Sequence, residues 1–162
     1  HDWQRKHWTT LQQSYATGPH VAEMLALVES VFAAGHASLA GLSAASMEAL
    51  ADSFEVMPET VLRSSEMAAI EGGGSERVLA ICRELGAKRY VTGQGAADYL
   101  DHAAFDEAGI AVEYMDYEKR AYPQLHGDFT PFVSALDLLA NCGQAGRDVI
   151  APRTVCWKDF VK

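Results

Sequence analysis

Apolar residues in the first third of the chain recur at intervals of three and four. From Pro19 onward, Val21, Met24, Leu25, Val28, Val31 and Phe32 fall on one helix face, and Gly35 stops the run. Ser43 is placed to cap a second helix, in which Met47, Leu50, Ala51 and Phe54 repeat the stripe. Both patterns predict core-facing helices. The opening residues HDWQRKHWTTLQQSY read as the interior of a folded segment, so an upstream part is expected to precede His1.

After Pro58 the texture changes. Val61-Leu62-Arg63-Ser64 is a short extended candidate, and Gly72-Gly73-Gly74 is a flexible break. Ser75 then caps a helix with Val78, Leu79, Cys82 and Leu85 on its apolar face, ended by Gly86. Arg89-Tyr90-Val91-Thr92 predicts a strand, Gly93-Gln94-Gly95 a loop, residues 96–104 a helix, and Ala111-Val112-Glu113-Tyr114-Met115 a third strand. The order strand, helix, strand, helix, strand, with a cadence of about 25 residues, is the βαβαβ pattern of a short parallel sheet. A last helix is expected from Thr130 and Pro131 to Gly143, with Phe132, Leu136 and Leu139 toward the core.

The predicted fold class is therefore α/β: a Rossmann-like parallel sheet of about three strands with a helical N-terminal third. Residues 1–57 form the helical segment on the same core, 58–146 the α/β core with the site, and 147–162 a tail that Trp157 and Phe160 dock. Right-handed crossovers bring the carboxyl ends of parallel strands to one edge, so Ser64-Ser65, Gly93-Gln94-Gly95 and Asp116-Tyr117 are expected to converge there.

Composition narrows the function classes. A chain of 162 residues, 49% apolar, needs no disulfide or metal staple to hold a core. Thirteen basic against 22 acidic side chains give a net charge of −9, the wrong sign for nucleic acid or an anionic membrane surface. Glu23, Glu29, Asp52 and Asp137 interrupt the apolar stretches, so no membrane insertion is expected. Cys82, Cys142 and Cys156 lack CxxC or His-rich spacing, which fits a reducing cytoplasm and argues against a zinc site. Neither metal nor cofactor is expected.

Several stretches carry candidate chemistry. The Thr92-Gly93-Gln94-Gly95 junction exposes backbone N–H groups at a helix start, where a phosphate or carboxylate binds; equally, its glycines serve a plain tight turn. It lacks the third glycine of a dinucleotide fingerprint and the lysine of a Walker loop. Asp98 and His102, four apart on the predicted helix, form either an acid–base pair or a solvated one. Cys82 reads as a small core hydrophobe, and Cys142 as either that or a nucleophile. Arg63, next to Ser64, pairs with an anionic substrate group or with Glu66 or Glu71. Gln124, in the Tyr122-Pro123-Gln124-Leu125 turn, offers its amide to substrate or to its own turn, and His126 near Asp128 is a candidate general base. No triad follows from spacing.

The runs RSSEM, ERVLAICRELGAKRYVTGQGAADYLD, FDEAGIAVEYMDY and YPQLHGDFTPFVSALDLLANCG together resemble the WbqC-like protein family over most of residues 1–143. The most specific elements are Gly93 with Asp98-Tyr99-Leu100, then Tyr122-Pro123-Gln124, then Ser134 with Asp137-Leu138-Leu139; Trp3, Lys6, His7 and Tyr15 match the family's opening. The chain departs from the family in lacking a front segment with His-Gln-Pro and Tyr-Leu-Pro-Trp stretches, and in Thr92, where serine is expected and the hydroxyl is kept. If the front segment contributes to the site, this chain holds only part of it.

The resemblance implies a bacterial protein of O-antigen, other polysaccharide or secondary-metabolite assembly, transferring a glycyl or related acyl group onto a sugar. On that reading the substrate is a small-molecule or carrier-linked acyl compound. The Gly93–Gly95 loop holds its carbonyl or anionic group, Arg63, Ser64, Thr92, Gln94, Tyr122 and Gln124 orient it, and Asp98 or His126 moves the proton. Two alternatives stand beside it: a hydrolase or thioesterase in which water replaces the acceptor, and a noncatalytic assembly protein whose open sheet edge is covered by a partner chain or a second copy.

Overall fold

In the computed structural model, which describes residues 2–67 and 71–160, the chain runs α1 (Trp3–Ser14), α2 (Val21–Ala33), α3 (Leu39–Ser53), α4 (Gly74–Glu84), β1 (Arg89–Thr92), a 3-10 turn (Gln94–Asp98), α5 (His102–Glu107), β2 (Ala111–Met115), α6 (Ala135–Cys142), a second 3-10 turn (Gly143–Asp148), β3 (Thr154–Cys156) and α7 (Trp157–Phe160). These elements divide between two compact units, His1–Glu59 with Lys119–Ala151 and Thr60–Glu118 with Pro152–Lys162.

The first unit is helical. Met24, Val28 and Val31 of the predicted stripe are buried on α2, and Met24 and Val28 pack with Phe54, Leu138, Leu139 and Ala140 in one cluster. The second helix is capped by Ser38, which accepts from the Gly41 N–H at 3.0 Å, so Ser43 lies inside it; Met47 is 68% exposed rather than in the core. The last helix of this unit starts later than expected. Ser134 occupies its N-cap position, Thr130 is tied to Gln124 instead, and Phe132 stands 83% exposed.

The second unit carries a three-stranded sheet in the order β1-β2-β3. β1 and β2 are parallel, with Arg89 opposite Ala111, and α5 lies in the connection between them. The sheet is mixed, however, because β3 runs antiparallel to β2, with Tyr114 opposite Val155. The expected strand at Val61-Leu62-Arg63-Ser64 does not form, and only one βαβ unit remains of the predicted βαβαβ order. A strand needs a ladder partner and a buried face. This segment pairs with no strand among the described residues, and its Val61 and Leu62 are 48% and 56% exposed.

Local capping explains two more differences in this unit. Gly73 rather than Ser75 takes the N-cap position of α4, and the Ser75 hydroxyl accepts from the Asp101 N–H at 2.8 Å. The helix expected over 96–104 is broken into the 3-10 turn and α5, the latter capped by Asp101 accepting from Ala104 N–H. Within the stretch expected to be a tail, residues 154–160 form β3 and α7, where Phe160 stacks on Tyr114 at 4.6 Å and Trp157 on His102 at 4.5 Å. Among the described residues, no helix is long and apolar enough to cross a membrane.

Candidate functional site

Burying a carboxylate is costly unless its oxygens find donors. Asp137, 6% exposed in the first turn of α6, finds three. The Tyr15 hydroxyl donates to Oδ2 at 3.0 Å, the Tyr122 hydroxyl to Oδ1 at 2.7 Å, and Gln124 Nε2 to Oδ1 at 3.2 Å. Asn141 Nδ2 donates to the Asp137 backbone carbonyl at 2.8 Å, one turn on. The hub thus joins the end of α1, the 122–124 turn and α6, all within the helical unit.

Burial, reinforced by the Asp137 carboxylate, pushes the Tyr15 and Tyr122 hydroxyls up to about 12, so both remain protonated donors at neutral pH. The Cys142 thiol is also pushed up, by burial first and by the Asp137 charge second. A nucleophilic cysteine needs the opposite shift, so Cys142 is poorly placed for that role. Cys82 is 5% exposed with its thiol raised by burial, as befits a core residue.

Gln124 is committed to its own turn as well as to the hub. Its Oε1 accepts from the Thr130 N–H at 2.9 Å, and Nε2 donates to the Thr130 carbonyl at 3.0 Å. That bridge spans His126, which is exposed and whose Nε2 lies 2.7 Å from the Ser14 carbonyl at the end of α1. A carbonyl only accepts, so Nε2 carries the proton and Nδ1 is the acceptor of the neutral ring.

The remaining sequence candidates lie in the sheet-bearing unit. Thr92 ends β1, half-buried, and the exposed Gly93, Gln94 and Gly95 lead into a 3-10 turn of five residues rather than an α-helix. The helix macrodipole invoked for anion binding is therefore missing at that junction. Gln94 Nε2 donates to the Met115 carbonyl at 3.3 Å, bridging the ends of β1 and β2. Asp98 is exposed at the end of the turn, and Arg63 and Ser64 lie on the exposed segment that forms no strand. His102 sits in α5 instead of sharing a helix with Asp98, and its Nε2 lies 2.7 Å from the Tyr114 hydroxyl. Among the described residues no group of three or more His, Cys, Asp and Glu is placed to hold a metal.

Neither Tyr15 nor Asp137 stands among the sequence's candidates for chemistry: Tyr15 enters through the family resemblance, and Asp137 through that and as an acid interrupting an apolar stretch. The signal for Asp137 was present: an acid inside the apolar run Ala135-Leu136-Asp137-Leu138-Leu139-Ala140. Nothing local marks Tyr15, 122 residues away from its partner.

Comparison with known proteins gives the same landmarks a family. The model of the WbqC-like protein family matches residues 1–149. The uncharacterized protein Rv1507c of Mycobacterium tuberculosis is 33% identical over 151 residues, which cover 92% of this chain and 64% of that protein. The chain thus spans less than two thirds of this relative's length. No solved structure matches it. By the extent of the family match and the identity to this relative, the chain belongs to the WbqC-like protein family.

Proposed function

We propose that the chain contributes to an acyl- or aminoacyl-transferase of bacterial polysaccharide or secondary-metabolite assembly, with His126 as the base that activates the acceptor. The observation that carries this reading is the convergence of Tyr15, Tyr122 and Gln124 on the buried Asp137 carboxylate beside the turn that holds His126. In the proposed step the acceptor's amine or hydroxyl attacks the donor carbonyl, forming the new C–N or C–O bond. Nδ1 of His126 takes the acceptor's proton and returns it to the leaving group as the donor's acyl bond breaks. The Ser14 carbonyl stays bonded to Nε2–H throughout, so the ring need not turn between the two transfers.

The test is incubation of the protein with an acyl thioester and an amino-sugar acceptor, read by mass spectrometry. Transfer yields an acylated sugar, and His126→Gln lowers its rate by about 100-fold or more, the usual weight of a general base. Free acid released without acceptor makes the protein a hydrolase. Neither product, with a ligand-dependent melting shift, makes it a binding protein. Full transfer by His126→Gln with loss in Asp98→Asn moves the base to the other unit.

A further inference from the structure

Two ends of the chain's helical unit meet at His126, and both lead back to Asp137. On one side, Ser14 closes α1, and its carbonyl is one of the groups that a helix terminus leaves without an internal partner. The next residue, Tyr15, bonds through its N–H to the Leu11 carbonyl and through its hydroxyl to Asp137 Oδ2. The rotation of that last turn, and with it the direction of the Ser14 carbonyl, is therefore held by the carboxylate. On the other side, Tyr122 and Gln124 precede His126 by four and two residues and both donate to Asp137 Oδ1. The Gln124–Thr130 pair then closes the turn around His126.

We propose that Asp137 is a positioning residue: one buried carboxylate sets both partners of the His126–Ser14 contact, which joins residues 112 apart in sequence. Its functional meaning rests on the proposed role of His126, but its physical content does not. A purely structural hub would lower stability when cut and leave the imidazole as it was. A positioning hub releases the ring when either arm is cut.

Diethyl pyrocarbonate tests this without donor or acceptor, because it acylates an imidazole nitrogen with an available lone pair. A ring held through Nε2 reacts only at Nδ1, whereas a released ring reacts at either nitrogen. His36 is the internal control: its Nε2 lies 3.0 Å from the Val31 carbonyl, a tie of the same kind that does not run through Asp137. Peptide mass spectrometry should show the His126-to-His36 labelling ratio rising about threefold in Tyr15→Phe, in Tyr122→Phe and in Asp137→Asn, on the scale of one lost hydrogen bond. The tyrosine variants remove one hydroxyl each and keep the test open where Asp137→Asn does not fold. An unchanged ratio in the folded tyrosine variants, with or without a lower Tm, overturns the proposal. A raised ratio in a protein that shows no acyl transfer supports the positioning role and sinks only the catalytic reading.

Discussion

The donors found on the Asp137 carboxylate are uncharged, two hydroxyls and an amide, so its hydrogen bonding depends on hydroxyls that must keep their protons. That requirement fixes a pH dependence. Tyr15 and Tyr122 are raised from 10.0 to about 12 in the folded chain, so the folded state binds these protons more tightly than the unfolded one. Their contribution is full below about pH 10 and is lost as the pH rises through about 12. Urea unfolding between those limits is expected to show stability falling more steeply in the parent chain than in the Tyr15→Phe/Tyr122→Phe double variant. Tyr114, raised by burial in the other unit, leaves a residual slope in both. Equal slopes would show that the hub hydroxyls do not carry the shift. At this scale the sequence displayed the unusual residue, an acid among apolar neighbours, but not its partners, since hydrogen bonds across more than a hundred residues leave no local spacing.

Helices were legible where a stripe had no competitor, as on α2, and their ends were not. Ser38 and Ser43 both precede an apolar run, and the choice of Ser38 rests on its bond to Gly41 N–H. Thr130 and Ser134 pose the same ambiguity, decided by a tertiary bond: Thr130 is engaged with Gln124, which leaves Ser134 at the start of α6. The end of α6 was read correctly at Gly143, for a reason now visible. Gly143 adopts φ +57° and ψ −149°, and a Cβ there would stand 2.4 Å from Nδ1 of His20. His20 is itself tied to this helix, its N–H donating to the Ala140 carbonyl at 3.0 Å. Gly143→Ala is therefore expected to destabilise the chain by about 2 kcal/mol or more, from backbone strain plus the contact. In a His20→Ala background only the strain remains, so the alanine should cost less there by thermal denaturation. The same cost in both backgrounds would remove the His20 contact from the explanation.

Across the whole chain, the sheet-bearing unit is assembled from two separated stretches, Thr60–Glu118 and Pro152–Lys162. The family match ends at residue 149, so β3, which completes the sheet, and α7, which packs beside it, lie beyond the match. A three-residue strand carries too little alternation to be recognised, so the sequence reading counted the extended candidate Val61–Ser64 as its first strand and left β3 inside the tail. The true edge is secured by the Asp116 N–H donating to the Arg153 carbonyl at 2.7 Å and by two bonds from Arg153 to Asp116 Oδ2, at 2.9 and 2.6 Å. Phe160 covers Tyr114, itself fully buried, and an aromatic pair of this kind adds about 1 kcal/mol beyond its buried area. Ending the chain at Ala151 removes all of these together and exposes one edge of β2, the kind of unpaired ladder that recruits other chains. Hydrogen exchange on the shortened chain is expected to show the Asp116 amide and its β2 neighbours losing protection, while the amides of α2 and α6 keep theirs. Unchanged protection at residues 113–116 would mean that β2 is held by β1 alone and that the tail is a passive addition to the sheet.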